Sequence, residues 1–112
     1  MTLILSNDDV AKLLTVSECI DALEEAYVEL AEGRGVSRTR SDCLTPTKRP
    51  DALYGLKSMD GVVPKFGVGA VRINSDIVTW PMRGNNLRRE KVPAAPGNRW
   101  VGLVLLFSSE KR

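Results

Sequence analysis

Apolar and polar positions alternate along this chain with two different periods. The period changes near residue 35. Before that point, apolar residues at Val16, Cys19, Ile20, Leu23, Ala26, Tyr27 and Leu30 recur every three to four positions, with acids between them. That spacing predicts an amphipathic helix. Thr15 stands at its start with Glu18 three residues on, a capping-box spacing, and Gly33 and Gly35 supply its stop. A shorter helix to about Leu14 is predicted by the same device, with Ser6 and Asp9 as the pair, and Thr2–Leu5 ahead of it reads as a short strand.

After residue 35 the pattern suits strands. Arg38–Thr45 and Leu53–Met59 are two of them, separated by a turn rich in Pro46, Lys48, Arg49, Pro50 and Asp51. Asp60-Gly61 reads as a turn and Gly67–Ile73 as a third strand. The small residues Gly67, Gly69 and Ala70 allow close approach of another backbone or a ligand. Residues 76–99, with Pro81, Gly84, Asn85, Asn86, Pro93, Pro96 and Gly97, read as one long irregular excursion, of the kind that serves a site or an interface. Trp100–Ser108 is expected to be a buried apolar strand. The order predicts an α+β fold, with a mostly antiparallel sheet and the long helix packed on one face.

Length and composition narrow the class. At 112 residues the chain is one domain, and 43% apolar with 27% charged residues is the balance of a soluble globular protein. The apolar run Val101–Phe107 is about a third of a bilayer span, and Met1–Leu5 has no basic flank, so a cytoplasmic protein without a membrane partner is expected. Cys19 and Cys43 are expected to be buried thiols rather than a disulfide. The absence of histidine removes the commonest general base, and with no Cys-x-x-Cys pair there is no metal-ligand set. Residues 1–32 are acidic and the stretch from Arg83 onward is basic. Little aromatic interleaving accompanies that basic stretch, which argues for a solvated loop and against a nucleic-acid partner.

Three places could carry chemistry. Arg38 and Arg40 enter a strand, where an arginine aimed into a pocket would clamp a carboxylate with two parallel hydrogen bonds; the plain alternative is a solvent-facing pair. Lys57 and Arg72 stand on neighbouring strands, and either needs an anionic partner if it points inward. Gly67-Val68-Gly69 lacks a third glycine and precedes strand pattern, so it is not a dinucleotide fingerprint.

The segments "LILSNDDVAKLLTVSECIDALEEAYVELAEGRG", "RTRSDCLTP", "YGLKSMDG", "GVGAVRINSD" and "WVGLVLLFSSEKR", in this order and spacing, resemble the N-terminal part of the ornithine cyclodeaminase/mu-crystallin family. The resemblance covers essentially the whole chain. It implies an incomplete substrate-binding and dimerisation domain over residues 1–112, a homodimer, and a small amino- or imino-acid carboxylate ligand. The family's Rossmann domain, its NAD or NADP and its catalytic aspartate would lie beyond Arg112, so the chain alone is expected to be inactive with no cofactor site. Activities in the family include cyclodeamination (a lyase reaction) and amino-acid or imine oxidoreduction, in which the nicotinamide does the chemistry. Carried across by position, Arg40 matches the carboxylate-binding arginine, with Arg38 as the register alternative. Met59 matches the pocket methionine and Arg72 the pocket lysine. Arginine in place of that lysine keeps the charge but serves poorly as acid or base. Lys57 stands near an acidic position of ornithine-type members, which disfavours ornithine itself.

Overall fold

A computed structural model describes residues 2–93 and 101–111. Both helices form where the capping signals place them. Helix α1, Asn7–Leu13, opens on Ser6, whose hydroxyl accepts from the Asp9 N–H while the Asp9 carboxylate accepts from the Ser6 N–H. Helix α2, Val16–Ala31, repeats this with Thr15 and Glu18. Each box satisfies backbone donors that the first helical turn cannot pair for itself. Gly33, in the left-handed region at φ 73°, ends α2. Its N–H reaches Leu30 O at 3.1 Å and the Arg34 N–H reaches Glu29 O at 2.9 Å, the paired bonds of a Schellman stop.

The rest of the described chain is a sheet in which every pairing is antiparallel, so the architecture is α+β. Its centre is a long hairpin of β3, Ala52–Val63, and β4, Val68–Thr79, in register from Ala52↔Thr79 to Val63↔Val68. Between them a single 3₁₀ turn, Pro64–Phe66, closes on Gly67 at φ 62°. The free edge of β3 carries β1, Val36–Ser37, and β2, Ser41–Pro46. The free edge of β4 carries β7, Glu90–Val92, and β8, Val101–Ser108. A small separate hairpin, β5 (Met82–Arg83) with β6 (Asn86–Leu87), lies between β4 and β7.

Several expectations need correction. Thr2–Leu5 forms no strand, and Arg38–Arg40 precede β2 rather than belonging to it. Asp60-Gly61 is not a turn, because both residues pair with β4 inside β3. The third strand does not stop at Ile73 but runs to Thr79, and the supposed excursion holds the end of β4, the β5–β6 hairpin and β7. Its remainder at 94–99, with Trp100, lies outside the described residues. Trp80 and Pro81 break the chain where β4 ends, and the residues before them are regular because β3 offers a partner for each.

Burial departs furthest from expectation. Leu103, Val104, Leu106 and Phe107 of β8 are exposed, and so are Val16, Ile20, Leu23, Tyr27 and Leu30 of α2. The long helix does not cover a sheet face with that stripe; the Glu25–Lys65 ion pair at 3.1 Å ties it to the 3₁₀ turn between β3 and β4. Periodicity marks which side of an element is apolar, not what covers it. Cys43 is exposed and Cys19 half-buried, both as free thiols. Buried positions include Ala52 and Val78 and, unusually, the charged Glu29, Lys57 and Asp76. No helix among the described residues is long and apolar enough to cross a membrane.

Candidate functional site

The register of the central hairpin builds the site. Side chains alternate across a strand, so Gly55, Lys57 and Met59 of β3 share a face with Arg72, Asn74 and Asp76 of β4. Lys57 lies opposite Asn74 and Gly55 opposite Asp76, which makes Lys57 and Asp76 diagonal neighbours. A long side chain spans that diagonal. The Lys57 Nζ donates to both Asp76 oxygens at 2.7 Å, and Lys91 of β7 approaches one of them at 2.9 Å. Gly55 makes this possible. A Cβ there would lie 3.0 Å from the Asp76 Oδ1, 3.1 Å from the Leu44 Cδ2 and 3.5 Å from the Lys57 Cε.

The Asp76 side chain is 1% exposed and that of Lys57 7% exposed, so this is a buried ion pair. Burial by itself pushes the Asp76 carboxyl upward. The hydrogen bonds and charges of Lys57 and Lys91 outweigh it and hold the group below its ordinary value. Two cations on one carboxylate leave that corner of the site with surplus positive charge.

Around this pair lies a cavity of about 260 Å³, lined by Arg40, Lys57, Met59, Arg72, Asn74, Arg89 and Lys91. All three residues singled out by position, Arg40, Met59 and Arg72, therefore share one cavity, with Met59 directly opposite Arg72. Arg40 is steered by Asp42, its Nε 2.7 Å from Oδ1. Asp42 in turn sits opposite Lys57 in the β2–β3 register. Arg38, the register alternative, turns to Asp60 instead, with its Nε 2.8 Å from Oδ2, and does not line the cavity. Asp60 lies opposite Val71, which puts it on the other face of the hairpin.

Sequence reading missed Asn74, Asp76, Arg89 and Lys91. A signal for two of them was present. Arg72-x-Asn74-x-Asp76 is a polar residue at every second position, the mark of one polar strand face. It goes unseen when the strand is ended at Ile73. Arg89 and Lys91 reach the cavity through the turn back of the β5–β6 hairpin, which no local pattern announces.

In chemical terms the lining is cationic and rich in hydrogen-bond donors, a chemistry suited to an anion. Guanidinium forks supply paired donors, Asn74 supplies an amide, and Met59 offers apolar contact. The glycine pair does not form a dinucleotide cradle. Gly67 closes the 3₁₀ turn and Gly69 is paired within β4, opposite Val62 and Phe107, so the glycine pair opens a strand and leaves no helix N-terminus to hold a pyrophosphate.

Comparison with known protein families, with curated proteins and with solved structures finds no match for this chain.

Proposed function

We propose that this chain is the substrate-binding and dimerisation part of an NAD(P)-dependent amino- or imino-acid oxidoreductase or cyclodeaminase of the ornithine cyclodeaminase/mu-crystallin type. One observation carries the reading: Arg40, Met59 and Arg72, assigned by position in the sequence, line a single cation-rich cavity. The chain's own contribution is to hold and orient a carboxylate. Arg72 on β4 and Arg40 ahead of β2 are its anchors, and Met59 packs beside the bound carbon skeleton. Lys57 is committed to Asp76 in this arrangement, because both Asp76 oxygens accept from its Nζ.

Calorimetric titration with small α-amino and α-oxo acids tests the reading. Binding of the wild type and its loss in Arg40→Ala and Arg72→Ala support it; no binding of any carboxylate refutes it. A second reading, a non-catalytic small-ligand-binding or assembly subunit of the same fold, draws on the apolar surface left open on α2 and β8. It would prevail if a cofactor-supplied assembly bound carboxylates but turned none of them over.

A further inference from the structure

The charge balance of the cavity separates it from a site for a simple amino acid. Five cations line it: Arg40, Lys57, Arg72, Arg89 and Lys91. Asp42 answers Arg40, and Asp76 answers Lys57 and Lys91. Arg72 and Arg89 have no carboxylate within ion-pair distance among the described residues. Glu90, the acid next to Arg89, is turned to Arg83, with its Oε1 2.7 Å from the Arg83 Nε. Two guanidinium forks, one on β4 and one on the β6–β7 connection, therefore line one small cavity with no ion-pair carboxylate of their own among the described residues.

From this we infer that the ligand carries a carboxylate at each of two ends, a dicarboxylic amino or oxo acid. The inference rests on the reading that the cavity holds a carboxylate, and it adds a second. One acid group meets Arg72 beside Arg40, and the other meets Arg89 on the connection between β6 and β7. Charge-assisted bidentate contacts favour such a ligand at both ends. A side chain ending in an amine would instead bring a cation against Arg89 and Lys91, a juxtaposition that penalises the wrong ligand as strongly as the match rewards the right one. Met59 supplies contact for the intervening methylenes.

L-glutamate and L-glutamine differ in this one charge at nearly equal size. Their dissociation constants, measured by calorimetry on the full chain at fixed ionic strength, test the inference. Glutamate is expected to bind about tenfold or more tightly than glutamine, the scale of one added charge-assisted pair. Arg89→Gln, at an exposed connection, is expected to bring that ratio close to one. Equal affinities in the wild type would overturn the two-carboxylate inference and leave the single-carboxylate reading standing. So would an unchanged ratio in Arg89→Gln, or inorganic phosphate competing as well as glutamate. Failure of both amino acids to bind would overturn the two readings together.

Discussion

The Lys57 ammonium lies 2.7 Å from each oxygen of Asp76, nineteen residues away in sequence and across the central hairpin. Little of either side chain meets solvent. Taking two charges out of water is costly, and their mutual attraction repays the cost only when the geometry is good and other donors are present. Here Lys91 supplies the further donor. Lys57 lines the cavity and Asp76 does not.

Removing the carboxylate should therefore be expensive. Asp76→Asn leaves the Lys57 charge buried without its counter-charge, a loss of about 3–5 kcal/mol. Lys91→Ala should cost much less, because its side chain is 36% exposed. Urea unfolding of the two variants checks the order. If Asp76→Asn unfolds no more easily than Lys91→Ala, the pair does not hold the sheet together.

Acid should act through the same residue. The Asp76 carboxyl is held below its ordinary value in the folded chain, so the folded state favours the ionised form. Its contribution is complete above the ordinary aspartate value of about 3.9 and is lost as pH falls through the lower folded value. Thermal melts from about pH 6 down to about pH 2 should show a fall below about pH 4 that is shallower in Asp76→Asn. An equal fall in both proteins would place the acid sensitivity elsewhere.

Gly55 should not tolerate a methyl group. Alanine there would put a carbon 3.0 Å from the Asp76 Oδ1 and 3.1 Å from the Leu44 Cδ2, and the carboxylate is pinned by Lys57. Overpacking of this kind costs about 1–3 kcal/mol. By contrast, the Cβ space at Gly69 is ordinary, with Val62 at 3.5 Å. Gly55→Ala is expected to lower the melting temperature well below that of Gly69→Ala; the reverse order would contradict the packing described.

Open apolar surface on β8 should drive association. Leu103 and Phe107 lie on one face of the strand, opposite Ile73 and Gly69, and are 56% and 57% exposed. Clustered exposed apolar residues mark contact surfaces. Sedimentation velocity is expected to show a dimer for the wild type and a shift toward monomer for Leu103→Ser with Phe107→Ser. A wild type that sediments as a monomer at every concentration would count against dimerisation through this strand.

Local order was legible in the sequence wherever one short segment contains its own cause. Ser6 with Asp9, Thr15 with Glu18, and Gly33 after the helix each satisfy neighbouring backbone groups, so both helices could be drawn without knowing the rest of the chain. Arg40, Met59 and Arg72 could also be chosen by position. That Met59 and Arg72 share one cavity depends on which residues stand opposite in the sheet. That Arg40 rather than Arg38 joins them depends on the carboxylates, Asp42 and Asp60, that the sheet sets beside each. Register is a relation between distant segments, and a slip of one residue would send every side chain to the other face. The Lys57–Asp76 pair, the space kept by Gly55 and the approach of Arg89 and Lys91 all follow from it. The exposure of α2 and β8 is likewise settled beyond the local sequence, because a pattern names an apolar side while only the assembled fold decides whether anything lies against it.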